Sequence, residues 1–195
     1  MKTNTLLLSL ILSLSCGNAF ASTTEAENFL KKSVGEVVEA AKKSPDRAEL
    51  VSAVRPILLK TISFDAMTRR AVGPGWRQFT VSEQTDAIGF FTTLIIRTYS
   101  AKFTPGELPD VVYKAATETA PGRVEVATTT LYKGSRYEVI YRLEQPDGKS
   151  WRVTDVVIEG VSMIANYRGQ LDAQFKSGGA GAVLGSLQKS INSSK

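Results

Sequence analysis

The hydrophobic pattern of this chain changes from a helical to an alternating spacing close to Pro105. In the first half, apolar residues recur every three to four positions, which is the spacing of amphipathic helices. Thr80 and Glu83 have the spacing of a capping box, in which each side chain binds a free backbone N–H group at a helix start. The pattern predicts four helices, over residues 25–43, 46–61, 64–72 and 80–102.

The second half is dominated by alternating Val, Thr and Tyr residues, which are typical of half-buried strands. Short turns rich in Gly and Pro separate these segments, so consecutive strands should pair as hairpins. We expect strands over residues 111–119, 123–132, 137–144 and 150–159, and then helices over 161–176 and 182–191, separated by a glycine cluster. This order predicts an α+β fold in which N-terminal and C-terminal helices cover a curved antiparallel sheet of about four strands. Such a domain is cone-shaped, like nuclear transport factors, and can enclose an apolar cavity.

The amino terminus has the pattern of a secretory signal peptide. Lys2 precedes an apolar run over residues 6–14, and Ala19 and Ala21 are small residues at the positions that a signal peptidase reads. The run is about half as long as a membrane-spanning helix, which needs about 20 apolar residues. We therefore expect cleavage after Ala21 and a periplasmic location for the mature protein.

Cleavage after Ala21 would leave residues 22–195 as a single domain, a normal size for one hydrophobic core. Cys16, the only cysteine, would leave with the signal peptide. The alternative is a lipoprotein in which Cys16 becomes the lipidated first residue. That pattern fits less well, because Ser13 stands where a leucine is usual.

The composition excludes several classes of function. The chain has no histidine, which removes the usual catalytic triads and most zinc sites, and we expect neither a metal nor a cofactor. The net charge is +5, or +4 without Lys2, and the basic residues are scattered, so we expect no nucleic-acid partner. Asp65 and Asp155 remain as candidate bases for an alternative, enzymatic function.

Large apolar side chains fall on one face of the predicted strands. Tyr137, Val139 and Tyr141 alternate on one strand, and Trp151 and Val153 on its hairpin partner. Together with the wide apolar faces of the helices, they favour an interior cavity that binds acyl chains over a filled core. The predicted lipid-binding residues are Phe91, Leu94, Tyr99, Tyr137, Val139, Tyr141, Trp151, Val153, Met163 and Tyr167.

Two blocks of sequence carry a specific order of charged, aromatic and glycine residues. They are Phe64-Asp65, Arg70, Gly73-Pro74-Gly75-Trp76-Arg77 and Arg97-Thr98-Tyr99, and then Trp151-Arg152-Val153-Thr154-Asp155-Val156, Glu159-Gly160-Val161-Ser162 and Asn166-Tyr167-Arg168. Taken together, the blocks resemble the MlaC, or toluene-tolerance auxiliary, family of periplasmic lipid carriers. The resemblance covers nearly all of the mature chain. It departs at Val81, where a proline is expected, and in the short connection over residues 102–110.

The resemblance implies a function in lipid transport rather than catalysis. Members of the family shuttle phospholipid between an outer-membrane lipoprotein complex and an inner-membrane ABC transporter, and the bound phospholipid is the cargo. Arg97, Arg152 and Arg168 are possible head-group contacts, although at least two of them are expected to pair instead with Asp155 or Glu159. Two alternatives stay open: an enzyme that uses a buried carboxylate, and an adaptor without cargo, which predicts a filled core.

Overall fold

The amino-terminal half of the domain is helical. A computed structural model describes residues 17–193 of the chain, beginning with four helices: α1 (Gly17–Lys43), α2 (Arg47–Thr61), α3 (Phe64–Val72) and α4 (Val81–Ser100). A short 3₁₀ helix, Gly73–Gln78, joins α3 to α4. The predicted capping box is present at the start of α4, where the Thr80 hydroxyl accepts from Glu83 N at 3.3 Å and Thr80 N donates to the Glu83 carboxylate at 2.8 Å.

A five-stranded antiparallel sheet follows the helices. Its strands, in both chain order and spatial order, are β1 (Asp110–Ala120), β2 (Arg123–Tyr132), β3 (Ser135–Glu144), β4 (Arg152–Ile158) and β5 (Val161–Ser162). The meander follows from the short turns between the strands. The fold class is therefore α+β, as predicted. The sheet gains one strand, β5, because the two residues after the turn at Gly160 pair back onto β4.

The chain ends in α5 (Met163–Ser193), a helix interrupted at two glycines. Gly178 has φ −165° and ψ 26°, and Gly179 has φ 64° and ψ −151°, so neither residue is helical. The combination at Gly179 is open essentially only to glycine. The break divides α5 into two packed segments, which agrees with the two helices predicted from the sequence.

The apolar interior consists of two clusters rather than one. The helical cluster contains the buried residues of α3, α4 and α5, with Phe91, Met67 and Leu187 among its members. The sheet cluster contains residues of α1 and of strands β2 to β4, with Leu30 and Val126 among them. Two partly buried residues, Ile62 and Val156, pack against both clusters. The clusters therefore meet only along part of their surfaces, and the space between them is where a cavity forms.

The predicted signal peptide is largely outside the described residues. Residues 1–16, which include Cys16 and the apolar run, are not described, so both cleavage after Ala21 and lipidation of Cys16 stay predictions. Within residues 17–193, none of the helices combines the length and apolar character that a membrane span requires.

Candidate functional site

A cavity of about 300 Å³ lies between the helices and the inner face of the sheet. Strand alternation places its sheet-side lining, because residues two apart point to the same face. In β3, Val139 and Tyr141 face inward, and they pair across the ladder with Thr128 and Val126 of β2. Val111 of β1, Thr130 of β2 and Val153 of β4 also line the cavity, so its sheet-side wall extends across four strands.

Three helices form the opposite wall of the cavity. Helix α1 presents residues three and four positions apart, α2 presents residues four apart, and α4 presents its C-terminal part, as expected for amphipathic helices. The helical lining is Leu30, Ser33, Val34, Val37, Val38 and Ala41 of α1, Leu50, Val54, Leu58, Thr61 and the following Ile62 of α2, and Ile95, Ile96, Tyr99 and Ser100 of α4.

The cavity has a closed end and an open end. Leu30, Val54 and Ile96 line it and are almost fully buried. Phe103 and Glu107, in the connection over residues 101–109, also line it, but Phe103 is 38% exposed and the Glu107 side chain is 52% exposed. We call this open end, formed by Phe103, Thr104 and Glu107, the mouth.

Contacts with the β2–β3 turn hold the mouth in place. Thr104 N donates to the Tyr132 hydroxyl at 2.8 Å, and the Phe103 and Tyr132 rings lie 5.4 Å apart. Lys133 Nζ donates to Thr104 Oγ1 at 2.6 Å and lies 3.1 Å from a carboxylate oxygen of Glu107. The hydrogen bond that Lys133 donates to Glu107 raises the pKa of the lysine, so the lysine stays charged.

The cavity wall is nearly free of charge. Burial raises the pKa of Tyr141 to about 12, and burial also raises the pKa of Tyr99, so both phenols stay neutral near pH 7. Among the lining residues within 17–193, Glu107 has the only carboxyl group, and none is a lysine or an arginine. A hydrocarbon guest therefore meets an apolar wall with ionic groups at the mouth alone.

Five of the ten predicted lipid-binding residues line this cavity: Tyr99, Val139, Tyr141, Val153 and Met163. Their contact with lipid stays a prediction. The strand residues among them were predicted from alternation, which also predicted Tyr137 and Trp151.

The other five predicted residues lie elsewhere. Phe91 and Tyr167 pack against each other, with ring centroids 5.1 Å apart, in the helical cluster. Leu94 lines a separate, shallow and more polar cleft between α4 and α5. Trp151 is buried in the sheet cluster, and Tyr137, which pairs with the cavity-lining Thr130, is 39% exposed.

None of the three arginines proposed as head-group contacts lines the cavity. Arg97 donates to the Ile191 carbonyl at 3.5 Å, Arg152 donates to the Trp151 carbonyl at 3.1 Å, and the Arg168 guanidinium lies against Gly73. Within the described part of the chain, none of the three forms an ion pair with Asp155 or Glu159, so that expectation was wrong.

The ion pair with Asp155 that was expected for one of these arginines is formed by Arg142 instead. Its Nη1 lies 3.1 Å from Asp155 Oδ2, and its Nε lies 2.8 Å from Glu125. Arg142 points to the outer face of the sheet, whereas the sequence blocks had drawn attention to arginines on other elements. Arg142 and Asp155 lie directly opposite each other in the ladder between β3 and β4, which brings the two side chains together.

The candidate catalytic carboxylates are not in the cavity. Asp155 is buried but accepts hydrogen bonds from Arg142, from the Ser162 hydroxyl at 2.6 Å and from the backbone N–H groups of Val156 and Ile164. Asp65 is exposed in the first turn of α3, where the helix dipole stabilises a negative charge. Within residues 17–193, no cluster of three metal-ligating side chains is present.

Sequence reasoning missed the α1 and α2 lining and the Lys133–Glu107 pair at the mouth. The apolar face of α1 was visible in the sequence, but its spacing does not show whether a helix faces packed atoms or an empty space. Lys133 and Glu107 are 26 positions apart and carry no local signal. The antiparallel pairing of β1 with β2, in which Asp110 lies opposite Leu131, brings the turn that contains Lys133 to the mouth.

The fold and the cavity define an α+β protein with a largely apolar pocket between helices and sheet. The MlaC protein family model matches residues 30–189, which is most of the chain, and the chain belongs to that family. A comparison with curated protein sequences gave no match.

A similar solved structure is that of a phospholipid-binding protein from Ralstonia solanacearum in complex with a phospholipid. The two chains are 25% identical, with a TM-score of 0.79 over 87% of this chain and 98% of the other. The resemblance recognised from the sequence blocks is therefore confirmed.

Proposed function

We propose that this protein binds phospholipid in the cavity and carries it through the periplasm between an outer-membrane lipoprotein complex and an inner-membrane ABC transporter. The observation that carries the proposal is an apolar cavity whose closed end is buried and whose ionic groups stand at the mouth. This arrangement suits a molecule with hydrocarbon tails and a charged head, because the tails leave water while the head stays in contact with it.

Burial of the acyl chains supplies the affinity. Each methylene that leaves water contributes about 0.8 kcal/mol, so about 30 methylenes contribute on the order of 24 kcal/mol before losses. That gain lets a carrier compete with a bilayer only if most of the hydrocarbon is enclosed. The apolar walls provided by α1, α2, α4 and the sheet serve that purpose.

The volume of the cavity limits how much of a lipid it can enclose. An apolar cavity of about 150 Å³ accommodates a benzene molecule, so one of about 300 Å³ accommodates on the order of twelve carbon atoms. Two full acyl chains need more space. Helices α1 and α2 therefore move away from the sheet when a two-tailed lipid enters, or part of the tails extends through the mouth.

Mass spectrometry of the purified protein tests the proposal. Protein from an osmotic-shock fraction should begin at Ser22 and release phospholipid into an organic extract. Val37→Trp, which places an indole ring in the cavity, should reduce the lipid per protein by at least half. Glu36→Trp is the matched control, because Glu36 is the neighbouring, exposed residue of the same helix and does not line the cavity.

Folded wild-type protein that carries no phospholipid, and takes none up from vesicles, would refute the proposed function. Equal lipid content in folded Val37→Trp and Glu36→Trp variants would refute this cavity as the binding site. If the mature protein begins with a lipidated Cys16, it is attached to a membrane and does not diffuse freely through the periplasm.

A further inference from the structure

The mouth carries an ion pair whose position suggests a role in recognising cargo. Lys133 and Glu107 lie 3.1 Å apart with side chains 50% and 52% exposed, and Glu107 also lines the cavity. An amphiphile whose tails lie wholly within the cavity has its polar end beside this pair. The three arginines considered from the sequence do not line the cavity, so they do not compete for that position.

Both partners have unused capacity for hydrogen bonding. The Lys133 ammonium group has three donors, of which Thr104 and Glu107 take two. The Glu107 carboxylate has two oxygens and about four lone-pair positions, and Lys133 takes one of them. The pair therefore keeps one ammonium donor, which lies 5.6 Å from the centre of the Tyr132 ring, and several acceptor positions beside the mouth.

We propose that Lys133 and Glu107 form a head-group site, in which Lys133 binds the phosphate of the cargo and Glu107 binds a primary ammonium group. A phosphoethanolamine head group carries a negative phosphate and a positive ammonium group. Each of these groups can therefore face the oppositely charged member of the ion pair. This inference rests on the proposed function and adds a preference for zwitterionic, amine-bearing phospholipids. An anionic head group such as phosphoglycerol gains the contact with Lys133 but is repelled by Glu107.

The expected selectivity is modest because the pair is exposed to water. Exposed ion pairs contribute up to about 1 kcal/mol, which corresponds to a factor of up to about five. The head-group site therefore changes which lipids are preferred, while the hydrocarbon in the cavity supplies most of the affinity.

A competition between two lipids with the same acyl chains measures this preference. Delipidated protein is incubated with vesicles that contain equal amounts of phosphatidylethanolamine and phosphatidylglycerol, and the extracted lipids are counted by mass spectrometry. Wild-type protein should hold phosphatidylethanolamine in excess of the vesicle ratio. Glu107→Gln should lower that ratio two- to five-fold, and Lys133→Gln should reduce the loading of both lipids, with recovery in Lys133→Arg.

The control is a second exposed ion pair outside the cavity. Lys114 and Glu138 lie 2.5 Å apart with comparable exposure, and neither lines the cavity, so Lys114→Gln and Glu138→Gln should leave the lipid ratio unchanged. If the lipid ratio changes only in the variants at the mouth, the cause is recognition at the mouth and not the change in net charge. Thermal melting of each variant checks that it is folded.

Two results would overturn the head-group site while leaving the proposed function intact. One is a wild-type lipid ratio equal to that of the vesicles. The other is an unchanged ratio in folded Glu107→Gln, which would show that the pair only fastens residues 101–109 to the β2–β3 turn. Absence of any phospholipid from wild-type protein would instead refute the proposed function.

Discussion

The polar contacts of Asp155 connect β4 with three other elements of the fold. Its buried carboxylate pairs with Arg142 of β3, accepts from Ser162 of β5 and binds the Ile164 N–H group in the first turn of α5. A carboxylate at a helix N-terminus also interacts favourably with the helix dipole. Asp155 therefore fixes where α5 leaves the sheet, and with it the position of the cavity-lining Met163.

Replacing this carboxylate by an amide should destabilise the fold. Asp155→Asn keeps the shape but loses the charge and one acceptor oxygen, so we expect the free energy of unfolding to fall by about 1–3 kcal/mol. Urea denaturation measures the change. Glu125→Gln, which removes the more exposed partner of Arg142, should cost less than about 1 kcal/mol. Equal, small losses in the two variants would contradict a special role for Asp155.

The residues of the site could be predicted on strands better than on helices. Val139, Tyr141 and Val153 line the cavity as expected, because alternation assigns each strand residue to one of two faces. Helix α4 is apolar over a broad surface, and part of that surface packs against α5 instead. Phe91 and Tyr99 therefore looked equivalent in the sequence, although only Tyr99 lines the cavity.

At the scale of elements, Gly75 allows a close contact between the 3₁₀ helix and α5, because it has no side chain. A Cβ atom at Gly75 would lie 2.7 Å from ring atoms of Phe175, closer than packed atoms approach each other. The Phe175 ring in turn stacks on Phe79 at 6.0 Å, and Phe79 stacks on Trp76 at 5.5 Å. Gly75 thus lets an aromatic stack join the 3₁₀ helix to the C-terminal helix.

Gly75→Ala should therefore destabilise the protein by about 1–3 kcal/mol, the usual cost of overpacking a core. Thermal or urea unfolding measures the loss. In the double variant Gly75→Ala/Phe175→Leu, the smaller side chain makes room, so part of the loss should be recovered. Gly89→Ala is the matched control in α4, where nothing lies within 4 Å of the added Cβ, and it should stabilise by about 0.5–1 kcal/mol. A neutral Gly75→Ala would show that Phe175 moves aside freely.

Element boundaries were predictable wherever a local signal marks them. Helix α3 and strand β2 have the predicted bounds, because glycine-containing turns end α3 and flank β2. Strand β5 was missed, since two residues are too few to show alternation. The 3₁₀ helix Gly73–Gln78 was not predicted, because its glycines and proline also fit a turn.

At the scale of the whole molecule, the cavity separates the helical cluster from the sheet cluster. Ile62 and Val156 contact both clusters and also line the cavity, so they bridge only part of the gap. A bound acyl chain would fill the remainder and contact both clusters at once. The cargo is then part of the apolar interior, and its removal should weaken the connection between the two halves of the domain.

Removal of lipid should therefore lower the melting temperature. A ligand at about 100 times its dissociation constant stabilises a protein by about 2.7 kcal/mol, which for a domain of this size corresponds to roughly 5–10 °C. Differential scanning calorimetry of lipid-loaded and delipidated protein measures the difference, and reloading from vesicles should restore it. Val37→Trp, which should hold less lipid, should show a smaller difference between the two preparations than wild-type protein. An unchanged melting temperature in wild-type protein would mean that the two clusters are held together without the guest, and that hydrocarbon in the cavity contributes nothing to the stability of the domain.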